Sequence, residues 1–277
     1  MAQVRIAVIG AGLIGRTHIG VLRSGNPDYT LELVEAGEKA GVPILVGHHR
    51  RHNPIMRKAA EIISSGGIGR VVAANGLWLS HKPKDYFNVT WRREAGGGPV
   101  LINAIHDIDC LRMLCGDVES VSAATANEAR QFAVEDTAAA VLHFKGGALG
   151  TLLVSDAVSG CWTWEMGSRE NADRPNDTEN CYIVAGTKGS LTVPYLQHRW
   201  HEPGQESWDV PLTQLRIPVR PTDAYHEQMR NFANVIRGTG QPVLDGRGGT
   251  VTLATTLAIT RSAQTGAQVR VADMMVH

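Results

Sequence analysis

The sequence predicts an α/β unit followed by an α+β domain on a largely antiparallel sheet. Three observations predict this. The β-branched run Val4 to Ile9 feeds the turn Gly10-Ala11-Gly12-Leu13-Ile14-Gly15, and a helix-like stretch follows. Two pairs of strand-like segments flank glycine turns, Lys145-Gly146-Gly147 and Gly186-Thr187-Lys188-Gly189. Helical apolar spacing then closes the chain, without a further parallel βαβ rhythm.

The elements follow in order. The opening strand–turn–helix has the pattern of a dinucleotide-binding βαβ unit. Gly10 permits a tight turn, Gly12 lets the backbone approach a pyrophosphate, and Gly15 lets the helix pack on its strand. Free N–H groups and the positive helix dipole then face the phosphate. Ile14 to Arg23 reads as the first helix, ended by Ser24-Gly25-Asn26-Pro27-Asp28. Leu31 to Ala40 is a second helix, with Gly41 just past its end and Pro43 beyond. Ile44-Leu45-Val46 reads as a short buried strand. The polar run His48-His49-Arg50-Arg51-His52-Asn53-Pro54 leads to a third helix with Ile55, Ala59, Ile62 and Ile63 on its apolar face.

Val71 to Leu79 is a strand. His81, Lys82 and Lys84 read as a solvated loop. Leu101 to Leu114 is a helix behind Gly96-Gly97-Gly98-Pro99. Strands are expected at Val118–Thr125, Thr137–Phe144, Leu149–Ser155, Cys181–Ala185 and Ser190–Val193. Ser168 to Asn180 is a polar loop. Helices at Ala224–Arg237 and Gly249–Thr265 precede a last strand at Val269–Val271.

The bulk composition restricts the function classes. The 277 residues suffice for two ordinary domains, and 43% are hydrophobic, enough for a sizeable core. Lys+Arg and Asp+Glu both number 27. The balance gives no pull toward nucleic acid or a membrane surface. Cys110, Cys115, Cys161 and Cys181 show no C-x-x-C spacing, which argues against a metal knuckle and for free thiols in the cytoplasm. No apolar run approaches the ~18 residues of a membrane span, and a strand at the very start leaves no room for a signal peptide. His48, His49 and His52 lack an accompanying carboxylate cluster, so no metal site is expected.

With these residues in view, the chain resembles the glucose–fructose oxidoreductase / inositol dehydrogenase family, whose members join a Rossmann domain to a sheet-rich C-terminal domain. The resemblance is carried by the Gly10–Gly15 motif with His18 after it. It continues through Val34 to Pro43, through Gly47 to Pro54 at the crossing between domains, and through Gly96-Gly97-Gly98 leading to Ile105-His106-Asp107-Ile108-Asp109. Leu114-Cys115-Gly116, Tyr225, Phe232, Pro242, Ala258 and Ser262 complete it. It implies a cofactor domain over 1–47 and a substrate and oligomerisation domain over 48–277. It also implies NAD or NADP as cofactor, a sugar, polyol or related hydroxy compound as substrate, and homodimers or homotetramers formed through the open sheet face.

One departure is large. A βαβ unit takes about 30 residues, so a doubly wound sheet needs well over ~100, yet only 47 precede the crossing segment. Either through a real deletion or because the sequence joins pieces of a longer chain, the Rossmann unit is short of a full sheet by some ~70 residues. The acidic residue expected about 20 positions past the glycines goes with them; Glu32 and Glu35 lie near that offset but read as helix surface. The family's Glu-Lys-Pro segment is absent too, and His81-Lys82-Pro83 echoes it in the other domain. With a real deletion, the rival reading is therefore an inactive remnant whose sheet domain serves assembly or ligand binding.

The resemblance assigns Gly10, Gly12, Leu13, Ile14 and Gly15 to the cofactor. It assigns proton transfer to His106, whose ordinary pKa of about 6.5 suits a base near neutrality. Asn103 would orient the substrate hydroxyl, since an amide donates and accepts but is no base. Asp109, at i+3 from His106, either orients that ring or is a solvated helix acid. Arg51 either holds substrate or cofactor or ties the domains together. Trp91 and Arg92 either form a platform for a sugar ring or are a surface Trp packed by Arg.

Overall fold

The computed structural model describes residues 28–170 and 175–275. The Gly10–Gly15 motif and the first helix lie outside the described residues. Helix α1 (Asp28–Ala40) ends at Gly41, whose φ of 65° is the left-handed conformation of a helix C-terminus. Glu32 and Glu35 fall on it, and Glu35 is exposed.

The expected strand at Ile44–Val46 is not one. Its only ladder contact is a single bridge, Leu45 to Asp245, so among the described residues it has no strand to pair with. The polar run after it is a 3-10 turn, His49–His52. Helix α2 (Pro54–Ser64) then starts where Asn53 accepts a hydrogen bond from Ile55 N and Pro54 takes the first position, a favourable start for a helix. Met56, Ala59 and Ile62 are its buried stripe.

The described strands form one ten-stranded sheet: β1 (Val71–His81), β2 (Val118–Ala126), β3 (Thr137–Phe144), β4 (Leu149–Ser155), β5 (Ala157–Trp162), β6 (Tyr182–Gly186), β7 (Gly189–Val193), β8 (Gln197–Trp200), β9 (Thr213–Arg216) and β10 (Val269–Arg270). Their order is β10-β2-β3-β4-β1-β6-β7-β8-β9, with β5 beside the end of β1. Every pairing is antiparallel except β1 with β4. Sequence reasoning missed β5, β8 and β9, which are short and mostly polar or partly exposed.

Alternation sorts the two faces. Ala74, Gly76, Trp78, Gly150, Leu152, Val154, Ala138, Ala140 and Leu142 point into the core. Helix α3 (Ile105–Cys115) and helix α6 (Gly246–Thr265) cover that face, with Ile108, Leu111, Ala254, Ala258 and Ile259 buried in the same cluster. Gly76 sits close under this layer, where a Cβ would lie 3.1 Å from Leu111 Cδ1 and Leu152 Cδ1. The other face carries Val141, Leu149, Leu153 and Ile183 exposed, on neighbouring strands.

The helix expected over Leu101–Leu114 has two parts. A π-turn spans Val100–Ala104, and α3 follows from Ile105. Short helix α4 (Trp164–Ser168) is capped by Thr163, which accepts from Met166 N. Helix α5 (Ala224–Ile236) is capped by Asp223, which accepts from Tyr225 N and His226 N.

Candidate active site

A cavity of about 590 Å³ opens beside the end of β1. The 3-10 turn contributes His49 and Arg50; the π-turn contributes Asn103, and the first turn of α3 contributes His106. β1 and its continuation supply Trp78, His81 and Lys82, α4 supplies Glu165, and α5 supplies Tyr225. The π-turn, a feature frequent at functional sites, sets Asn103 and His106 on one wall. Gly98, just before it, has no room for a side chain because the Glu135 carboxylate occupies the space and accepts from Val100 N.

Arg50 is the cation under this wall, 2% exposed. Its guanidinium donates to Asp107 at 2.8 Å, Glu165 at 2.7 Å and Tyr182 Oη at 3.2 Å, while Tyr182 donates to Asp107 at 2.5 Å. Burial raises the Asp107 pKa to about 6 against the pull of Arg50. Burial also acts to raise Glu165, but Arg50 prevails and holds it below the usual carboxylate value. Arg50, Asp107 and Tyr182 stay buried because they are mutually paired, with the partly exposed Glu165 at their edge.

His106 is half-buried, and loss of solvation pushes its pKa well below the ordinary imidazole value, with the charges of Arg50, His48 and His49 acting in the same direction. The ring is therefore neutral at physiological pH and able to accept a proton. Its Nδ1 and the Asn103 Oδ1 are both buried without a hydrogen-bond partner. Two buried polar atoms without a partner, on two residues that line one cavity, are costly to keep. His48 and His49 pack edge-on against His106, with centroids at 5.4 and 5.9 Å, and Tyr225 stacks on His49 at 4.4 Å. His49 and Asn53 reach the Glu170 carboxylate at 2.8 and 2.6 Å, which keeps its pKa low despite burial.

The structure thus brings together His106 and Asn103 as expected, but other expected residues stand elsewhere. Asp109 does not orient His106. It is 1% exposed and takes a two-pronged bond from Arg51 at 2.8 and 2.9 Å, with Thr252 donating at 3.0 Å. Arg51 does not line this cavity, and its pairing with Asp109 lies within the 48–277 portion. Trp91 and Arg92 also lie off the lining: the Arg92 guanidinium sits over Tyr86 at 3.9 Å and Trp91 at 5.4 Å and donates to the Tyr86 carbonyl.

Lys82 corrects the solvated-loop reading of His81, Lys82 and Lys84. It is 8% exposed, because β1 runs on to His81 and carries the side chain under Trp78 and Tyr86. Lys84 is exposed. Sequence reasoning also missed Glu165, Glu170 and Tyr225 as site residues. Glu165 had a faint signal, Thr163 as the cap of a short helix; Glu170 is an acid in a polar loop with no distinguishing pattern. Among the described residues no group of three or more His, Cys, Asp or Glu forms a metal centre.

A largely antiparallel sheet covered on one face by helices, with a polar cavity at its margin, defines an α/β domain. The chain belongs to the oxidoreductase family of the sequence-level resemblance: residues 60–271 match the model described as "Oxidoreductase family, C-terminal alpha/beta domain". It is 29% identical over 241 residues to a 1,5-anhydro-D-fructose reductase of Ensifer adhaerens, covering 85% of this chain and 66% of that protein. It is 24% identical over 255 residues to a myo-inositol 2-dehydrogenase of Thermotoga maritima, covering 88% and 69%. The solved WlbA dehydrogenase of Bordetella pertussis, in complex with NADH and UDP-GlcNAcA, superposes with a TM-score of 0.64 at 27% identity over 89% of this chain and 68% of its own. The chain therefore spans about two thirds of the length of each.

Proposed function

We propose that this chain is an NAD(P)-dependent oxidoreductase that moves a hydride between a nicotinamide and a sugar, polyol or related hydroxy compound. The observation that carries this is that His106 and Asn103 line one cavity while His106 Nδ1 and Asn103 Oδ1 have no hydrogen-bond partner. NAD or NADP, held by Gly10, Gly12, Leu13, Ile14 and Gly15, supplies the hydride acceptor when bound. Asn103 orients the substrate hydroxyl. His106, kept neutral by burial, takes the hydroxyl proton as the carbon–hydrogen bond breaks, and returns it in the reverse direction. Arg50 and its carboxylates fix the floor of the cavity.

The division into a cofactor unit over 1–47, shortened internally, and a substrate domain over 48–277 belongs to the same proposal. So does assembly into homodimers or homotetramers, supported by the exposed Val141, Leu149, Leu153 and Ile183 on one sheet face. Cytoplasmic residence is proposed on the free state of all four cysteines. No described helix is long and apolar enough to cross a membrane.

The test is spectrophotometric: NADH or NADPH formation from NAD+ or NADP+ with a panel of polyols and aldoses. Turnover of at least one compound is expected. A folded protein inert with the whole panel in both directions would favour the remnant reading instead.

A further inference from the structure

Lys82 has a feature that its structural contacts do not absorb. Its side chain is nine-tenths buried and lines the same cavity as His106 and Asn103. The ammonium pairs with Asp156 Oδ2 at 3.3 Å, and no other acceptor among the described residues meets Nζ. Asp156 is already engaged by Arg130, which donates to its Oδ1 at 2.8 Å and to its backbone carbonyl. The faces of Tyr86 and Trp78 stand at 4.9 and 5.4 Å from Nζ and hold the cation in place without accepting its protons through oxygen. An ammonium carries three donors, and a buried one that meets a single carboxylate leaves the others unmet. Burial lowers the Lys82 pKa, with the charge and hydrogen bonding of Asp156 opposing.

We propose that Lys82 is a substrate-contacting residue, its ammonium donating to an oxygen of the hydroxy compound bound beside His106 and Asn103. The inference rests on the oxidoreductase reading for the identity of that compound. An ammonium so placed also stabilises the negative charge that gathers on the reacting oxygen as its proton leaves. The proton itself goes to His106, so Lys82 stays charged throughout.

The chain has six lysines, so lysine labelled with 13C and 15N at the side-chain terminus gives a readable NMR spectrum of the ammonium groups. The Lys82 signal is identified by its loss in Lys82→Arg. Myo-inositol, D-xylose, D-glucose and D-glucitol are added in turn to the whole wild-type chain. The Lys82 signal is expected to move with at least one of them while that of exposed Lys84 stays. In turnover assays Lys82→Met is expected to lower kcat/KM by about 10- to 100-fold, with Lys82→Arg recovering part of the loss. Lys84→Met should match wild type. A Lys82 signal that responds to none of the four overturns the proposal, and so does a folded Lys82→Met within twofold of wild type. Should Lys82→Met fail to fold, the wild-type spectrum alone decides. Turnover without any Lys82 response sinks this inference and leaves the oxidoreductase reading standing. A Lys82 response without turnover does the reverse.

Discussion

Two neighbouring stretches, 34–47 and 48–53, differ sharply in how they are held. In the first, Val34 is buried at 5% exposure, but Glu35, Glu38, Lys39, Val42 and Pro43 are exposed. Val34 and Ile44 touch α6 at Gly246, and Glu38 pairs with Arg247 at 2.6 Å in an exposed bridge. In the second stretch four of six residues are buried, and three of these, His48, Arg50 and His52, are basic. Chemistry that water would otherwise solvate has been drawn inside and paired there. The difference teaches that the site is marked by the cost its residues bear. Buried charge is kept where it orients something, and exposed charge costs nothing to keep.

The contrast can be broken or sharpened by mutation. The largest expected effect is at His106. His106→Ala should lower kcat by about 100- to 10,000-fold while cofactor affinity stays near wild type, measured by steady-state kinetics and cofactor titration. Undiminished turnover would remove His106 from proton transfer. Next comes Arg50→Met, which leaves Asp107 and Glu165 without their cation. A loss of about 3–5 kcal/mol is expected from urea unfolding, as for other broken buried pairs.

Acidification should give a smaller effect. Burial lowers the pKa values of His48, His52 and His106 below the usual 6.5. Below that pH the unfolded chain takes up protons that the folded chain refuses, so stability is full above 6.5 and falls as pH drops. Asp107, raised to about 6, acts oppositely: its stabilisation is present below the ordinary carboxylate value and lost as pH rises through 6. Three groups outweigh one, so the urea midpoint should fall below pH 6.5; a midpoint that climbs there would contradict the assignment. The smallest effect belongs to the exposed pair. Glu38→Ala or Arg247→Ala should leave Tm and turnover unchanged within error, because solvent screens that bridge.

Much of the fold was legible because period-2 and period-3.6 patterns report which face meets the core. β1 to β4, β6 and β7, α2, α5 and α6 were all visible that way. Ile44-Leu45-Val46 shows the limit. Apolar β-branched residues satisfy a strand pattern, but a ladder needs a partner that sequence does not display. The π-turn at Val100–Ala104 is equally hidden, since one residue inserted in a helical rhythm leaves periodicity almost intact. At the site, His106 and Asn103 were legible through their place after Gly96-Gly97-Gly98. Arg50, Glu165 and Lys82 were not, because their pairings join residues 57 to 115 apart in sequence. A lysine between a histidine and a proline looks solvated until the fold lays Trp78 and Tyr86 against it.

The most direct single measurement is calorimetric titration of the purified chain with NADH and with NADPH, after cooperative unfolding has shown that it is folded. Saturable binding of at least one is predicted, weakened at least tenfold by Gly12→Asp, which places a carboxylate where the pyrophosphate would lie. A folded chain that binds neither would contradict the oxidoreductase reading and leave the cavity to some other ligand.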